Sequence, residues 1–178
     1  MFAARNQRID AAPEASKLFL LFSCGGARYG LEVGEVAEVL PLRRLQPIAQ
    51  APSWVAGIFS HRGILVPVLD LSALMAGQPA ALRTCTRVVL VHYRGDDEGP
   101  AHLLGLIAEQ TSDTLRCAPS EFHDYGLDNQ GVPYLGPVYQ GPKGLVQWVR
   151  VQDLLPAEAR ALLFPSEPGA AGTEGQPG

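Results

Sequence analysis

A chain of 178 residues that is 47% hydrophobic is long enough to bury about 70% of its unfolded surface, as one domain or as two small ones sharing a core, without help from metals or disulfides. Its 14 basic and 18 acidic side chains leave a formal charge of −4, which opposes sequence-independent attraction to phosphate backbones and makes nucleic acid a poor partner. The three cysteines, Cys24, Cys85 and Cys117, are odd in number, far apart and without Cys-x-x-Cys spacing, so they predict neither a disulfide framework nor a zinc site and fit a reducing cytoplasm.

Residues 1–16 read as a loose end. Leu18 to Ser23 and Ala27 to Leu31 are short apolar segments around Gly25-Gly26, the signal of a hairpin. Val33, Val36, Ala37 and Leu40 then recur at i, i+3, i+4 and i+7. That spacing predicts a short helix, stopped by Pro41, with Glu32, Glu35 and Glu38 turned to water. Pro52 to Ala56 reads as a turn of helix ended by Gly57. Ile58 to His61 and Ile64 to Leu69 are strands joined by a turn at Arg62-Gly63. Pro67 has no amide to donate, so its strand belongs at an edge or beside a bulge. Asp70 is placed to cap a helix over Leu71 to Met75.

The second half repeats this plan. Arg87 to Tyr93, a polar tip at Arg94 to Gly99, and His102 to Ile107 predict another hairpin. The helix Pro156 to Phe164 is expected to dock through Leu162, Leu163 or Phe164. Residues 165–178 offer almost nothing to bury and read as a disordered tail. Gly30 to Leu40 aligns without gaps on Gly105 to Leu115, Arg62 to Leu65 aligns on Lys143 to Val146, and both halves end on Asp-Leu, at Asp70-Leu71 and Asp153-Leu154. Three coincidences in one order point to an internal repeat. Many short strands punctuated by glycine predict a mainly β protein built of small barrels. Runs such as Ile64 to Leu69 are apolar throughout if one strand face fills a barrel and the other packs on a neighbouring barrel.

A search for chemistry finds little. His61, His92, His102 and His123 share no ligand spacing, although His92 and His102 are placed to face each other across the second hairpin. The acidic tip Asp96-Asp97-Glu98 reads as solvated rather than cation-binding. There is no Gly-x-Ser-x-Gly elbow, no phosphate-binding loop and no dinucleotide fingerprint, so neither catalysis nor a cofactor is expected. Arg62 has two readings: a brace for strand-end or loop carbonyls where two barrels meet, or a partner for a carboxylate on another protein. Trp54 and Trp148 read as core. No apolar run approaches the roughly 20 residues that cross a bilayer, so no direct membrane insertion is expected.

Gly57, Arg62-Gly63 and Val66-Pro67-Val68-Leu69-Asp70-Leu71, with Phe19 to Phe22, Tyr29 to Glu32 and Leu104 to Ile107, resemble the CheW-like family of chemotaxis coupling proteins. Two departures stand out: Ser60-His61 before Arg-Gly, and Glu109-Gln110 after the Gly-Leu strand. The resemblance implies two packed five-stranded, SH3-like barrels with short helices, in one domain over residues 17–164 whose first and last elements are shared between the barrels. It further implies a non-catalytic adaptor in the cytoplasm, held at membrane receptor arrays through protein contacts. The partners implied are the regulatory domain of a CheA-type histidine kinase and the cytoplasmic tip of a chemoreceptor. The partner-binding residues implied are Val36, Gly57, Ile58, Phe59 and Arg62, with Val36, Ile58 and Phe59 flanking the receptor groove unless they are barrel core. Within the family, Leu18 to Phe22 and the Ser60-His61-Arg62-Gly63 turn are similar to WspB-type adaptors of surface-sensing systems. Two rivals remain: a small-ligand-binding or hydrolytic barrel using His61 and Arg62, and an oligosaccharide- or nucleic-acid-binding barrel, disfavoured by the acidic charge.

Overall fold

The first hairpin forms as its glycines predict. β1 (Lys17–Cys24) and β2 (Ala27–Glu32) are joined by Gly25 and Gly26, both in the left-handed region at φ 57° and 82°, where a side chain would strain the backbone. The computed structural model describes residues 14–96, 98–125 and 131–166. Most of both expected loose ends, and Asp97 of the acidic tip, therefore lie outside the described residues.

The helix expected over Val33 to Leu40 is absent. A single 3-10 turn, Val33–Glu35, gives way to strand β3 (Val36–Pro41). The strand faces inward at Val36, Glu38 and Leu40 and outward at Ala37 and Val39, an alternation the apolar spacing hides, while three valines at Val33, Val36 and Val39 favour strand over helix. Pairing with β6 (Arg87–Tyr93), in which Leu40 lies opposite Val88, decides the matter, because it gives the backbone a ladder and buries Leu40. Glu38 consequently faces into the structure rather than out to water.

β4 (Val55–His61) and β5 (Ile64–Asp70) form the central hairpin, with His61 opposite Ile64 across a two-residue turn. Arg62 and Gly63 both have positive φ, 50° and 79°, the backbone twist a two-residue hairpin requires. β5 is paired on both sides and is not an edge strand, but Pro67, opposite Ile58, stands just before the parallel ladder to β7 (His102–Cys117) begins at Val68 and next to the bulge at Val55–Gly57, so the bulge alternative read from sequence is the one that applies. Asp70 caps α1 (Leu71–Ala76) by accepting from the Ser72 and Ala73 amides, at 3.0 and 3.1 Å. Its second oxygen takes the Ala80 amide at 2.9 Å.

The remaining elements are β8 (Phe122–His123), β9 (Leu135–Gly141), β10 (Gly144–Val149), a 3-10 turn at Val151–Asp153 and α2 (Ala157–Leu163). Asp153 belongs to that 3-10 turn and does not cap a helix as Asp70 does. α2 docks through Ala159, Leu163 and Phe164 while Leu162 stays exposed. Phe164 stacks on both Tyr93 and His102.

Barrel one has the order β3-β6-β7-β5-β4 and barrel two β7-β1-β2-β10-β9-β8. β7 serves both: it pairs with β6 and β5 up to Ala108 and with β1 thereafter. The two families of side chains along the shared strands fill separate cores. Val88, Leu90, Val66, Val68 and Ile107 line the inside of barrel one. Phe19, Leu21, Cys117, Phe122 and Val146 line barrel two. Their neighbours Val89, Val91, Leu104, Leu106, Leu69 and Phe22 meet in the wall between the barrels. A strand buried on both faces is apolar at every position, which accounts for the unbroken runs in the sequence.

Candidate functional site: the open side of barrel one

β4 pairs with β5 on one side only. On its other edge, among the described residues, the chain passes once, at Gln46, whose amide and carbonyl exchange hydrogen bonds of 2.9 and 2.8 Å with Ile58. Gly57 makes that approach possible. It is buried within β4 at φ 149°, and a Cβ there would lie 2.6 Å from the Gln46 carbonyl oxygen. The helix ending expected at Gly57 is therefore corrected: Gly57 is a strand residue at a bulge, retained because another backbone crosses against it.

Between Leu42–Gln46 and β4 lies an open groove of about 850 Å³. Ile58 lines it half-buried, and Phe59 lies beneath it, 8% exposed and part of the barrel-one core. The Arg43 guanidinium sits over the Phe59 ring, 5.8 Å from its centre. Val36 is elsewhere: it lies opposite Val91 and packs against the wall between the barrels. Of the five residues implied as a partner surface, Gly57, Ile58, Phe59 and Arg62 are thus gathered on β4 and its turn, and Val36 is not among them.

The seam between β3 and β4 is closed by side chains. Glu38 Oε2 lies 3.0 Å from His61 Nε2, and Glu38 Oε1 accepts from Arg62 Nη2 at 3.5 Å. His61 is 8% exposed, whereas the Arg62 side chain is 76% exposed. Among the described residues Arg62 therefore braces no carbonyl, and its one partner is a carboxylate, held loosely at the surface. Sequence reasoning missed Glu38, because a helix would have turned it outward. It also passed over Arg43 and Arg44, for which the only signal was two adjacent arginines after Pro41.

The other candidates do not assemble. His102 pairs with Tyr93 and His92 with Leu103, so the two histidines do not face each other. Trp54 and Trp148 are half-buried against the wall and the barrel-two core. Among the described residues no group of three or more His, Cys, Asp or Glu could hold a metal, and no helix is long and apolar enough to cross a membrane. The shifted titrations have burial as their first cause: the Cys24, Tyr29 and Tyr134 protons are held more tightly in the wall, and Cys117 is pushed up to about 11. Burial likewise raises the Glu35 carboxyl, against a hydrogen bond from Gln152 that lowers it.

The sequence pattern of the CheW-like domain matches residues 18–159, from β1 into α2. The chain belongs to the CheW-like domain family. Chemotaxis protein CheW of Klebsiella aerogenes is 27% identical over 97 residues, covering 54% of this chain and 55% of that protein. Protein FrzA of Myxococcus xanthus is 32% identical over 85 residues, covering 48% and 53%. Protein PilI of Pseudomonas aeruginosa is 33% identical over 72 residues, covering 40% of each. The chain spans about half the length of the curated relatives it matches. The solved structure of the scaffolding protein TtCheW from Thermoanaerobacter tengcongensis has the same fold, with a TM-score of 0.68 at 17% identity over 87% of this chain and 96% of that one. The mainly β, twin SH3-like barrel architecture of a CheW-like domain is accordingly the fold of this chain.

Proposed function

We propose that this chain is a non-catalytic adaptor that couples the cytoplasmic tips of chemoreceptors to the regulatory domain of a CheA-type histidine kinase. The observation that carries this reading is family membership across both barrels, together with a relative named as a chemotaxis protein and a fold neighbour titled a scaffolding protein. The working unit is a domain over residues 17–164, acting in the cytoplasm at receptor arrays. Ile58 and Arg62 offer contact surface, Gly57 and Phe59 hold it in shape, and Val36 contributes from the start of β3. A finer assignment, to WspB-type adaptors of surface-sensing systems, rests on Leu18 to Phe22 and on the Ser60 to Gly63 turn.

The hydrolytic rival is less well supported. His61 and Arg62 both engage Glu38, and the nearest hydroxyl in sequence, Ser60, is exposed on the opposite strand face from buried His61. Without an oriented nucleophile the histidine–carboxylate pair is a structural contact. Mixing the purified chain with a receptor-tip fragment and a CheA-type kinase tests the adaptor reading. It expects a ternary complex on size exclusion and kinase activity that responds to the receptor only when the chain is present. A chain that binds neither protein ends it.

A further inference from the structure

A cavity of about 540 Å³ opens where the two barrels meet, between the β1–β2 turn, the loop 81–86 and the bend of β7. Arg28 and Arg83 both line it, and Glu109 is the one carboxylate among its described lining residues. Two guanidiniums against one carboxylate leave a local positive charge on a chain whose formal charge is −4. Glu109 is also committed, because its Oε1 accepts the Ala81 amide. Arg83 forms no ion pair and no side-chain hydrogen bond among the described residues. Arg28 reaches out of the cavity to Asp113 at 3.4 Å, the outer end of hydrogen-bond range, and Asp113 is shared with Lys143 at 3.8 Å. Both arginines therefore keep donors for an occupant, in the planar fork that matches a carboxylate or phosphate group.

The walls are set before any occupant arrives. Thr86 Oγ1 donates to the Ala81 carbonyl and accepts the Arg83 amide, which shapes the loop. The Cys85 carbonyl accepts the Thr111 amide at 3.1 Å, which ties the loop to β7. β7 bulges at this point, for Leu21 pairs with Asp113 but Ser23 with Glu109. Gln110, within the bulge, takes a φ of 49°, a strained conformation of the kind retained beside ligand sites. A preformed polar cavity of this size lies in the range of small-molecule sites, roughly 300–1,000 Å³.

We infer that this cavity binds a small oxyanion-bearing molecule, its carboxylate or phosphate held by Arg28 and Arg83 and its neutral part met by Ser23, Cys85 and Gln110. The site is separate from the β4 groove and does not depend on the adaptor reading. Its walls come from β1 and β2 of barrel two and from the loop leading into β6 of barrel one, so an occupant bridges the barrels and stabilises the folded chain by mass action.

Titration calorimetry and thermal melting of the full chain with inorganic phosphate and with citrate, at an ionic strength held constant with potassium chloride, test this. The variants are Arg83→Gln, Arg28→Gln and, as a control, Arg116→Gln, an exposed arginine of β7 outside the cavity. Wild type is expected to bind at least one of the two anions saturably and to melt higher in its presence. Preference for phosphate assigns a phosphate-bearing ligand, and preference for citrate a carboxylate. Each cavity variant is expected to bind about ten-fold more weakly, while Arg116→Gln binds as wild type does. Arg28→Gln also breaks the pair with Asp113; should that loosen the fold, Arg83→Gln alone carries the test. Absence of saturable binding by wild type overturns the inference. So does binding that Arg83→Gln keeps within about two-fold of wild type, or that Arg116→Gln loses equally, since either outcome makes the attraction one of surface charge at large.

Discussion

At the outer edge of β9 in barrel two, strand β8 carries Phe122 into a nest of aromatic rings, with Phe19, Trp148 and Tyr139 centred 5.0, 5.1 and 5.8 Å away. At the matching edge of β4 in barrel one, the chain makes one bridge, Gln46 to Ile58, and Leu45, only partly buried, occupies the place of Phe122. The hairpin turns differ as well. Barrel one takes Arg62 and Gly63 through positive φ, while barrel two places Pro142 first, fixed at negative φ. Each barrel sets an acid against the basic residue of its turn: Glu38 with Arg62 at 3.5 Å, and Asp113 with Lys143 at 3.8 Å. Only Glu38 adds a buried histidine; Asp113 adds Arg28 on β2 instead. One strand order is thus closed in two ways. Aromatic filling spends its apolar surface on the barrel's own interior, whereas a single backbone bridge leaves an open groove.

The largest effect that probes this contrast is truncation of the two matching residues. Phe122→Ala is expected to cost about 3–5 kcal/mol, because it empties the aromatic nest, and Leu45→Ala about 1 kcal/mol, because Leu45 is half out of the core already. Denaturant unfolding of both variants checks this, and equal losses would mean that barrel one is closed as tightly as barrel two. Gly57→Ala comes next. The strained backbone and the clash with the Gln46 carbonyl are expected to cost about 1–3 kcal/mol and to release the Leu42–Gln46 wall. Faster hydrogen exchange at the Ile58 amide would report that release, and unchanged exchange would mean that the bridge does not depend on Gly57.

Smaller still is the difference between the two acids. Glu38→Ala leaves His61 without its partner in a buried place and is expected to lose roughly 1–2 kcal/mol. Asp113→Ala breaks half-exposed pairs and an exposed hydrogen bond from the Thr114 amide, and is expected to lose about 0.5 kcal/mol or less. A double-mutant cycle with His61→Ala measures the first coupling; a value near zero would make the two acids equivalent. The least effect belongs to the region between the barrels. Burial holds the Glu35 proton more tightly in the folded chain than in the unfolded one, so the folded state binds more protons and stability falls as pH rises through the raised pKa. Glu35→Gln removes that cost. Its advantage is expected to be on the order of 0.5 kcal/mol at neutral pH, allowing for solvent screening, and to vanish in acid where Glu35 is neutral in both states. Melting temperatures across pH check it, and an advantage that grew towards acid would reverse the assignment.

Much of the local structure was legible in residue order. Gly25-Gly26, Arg62-Gly63 and Asp70 marked turns and a cap because their conformational and hydrogen-bonding demands act within a few residues. Val33 to Leu40 reads as helix because Glu38 interrupts the strand's inward face while Ala37 and Val39 lie on its outward one, and only the pairing with β6 selects strand. Arg62, Gly57, Ile58 and Phe59 were legible as a group because they are neighbours in sequence. Glu38, Arg43 and Arg44 were not, since their meeting with β4 depends on how β3 and the following loop return to it.

The sequence by itself determined many of the strands, though not β3, together with the hairpins, an internal repeat and strands apolar on both faces, all consequences of short-range geometry and hydrophobic patterning. The tertiary structure decided how the repeats combine. Barrel one joins β3, β4 and β5 of the first repeat to β6 and the start of β7 from the second, while barrel two joins β1 and β2 to the end of β7, β9 and β10. The Lys143-Gly144 match also proves to be one residue out of register: Gly141 faces Gly144 across the second turn as His61 faces Ile64 across the first, so that Leu145 stands with Leu65 and Val146 with Val66. Local preferences select a strand but do not select its neighbour. That choice is made by long-range ladders and by the shared wall that buries Val89, Leu106 and Leu69 together, and no short stretch of the chain contains it.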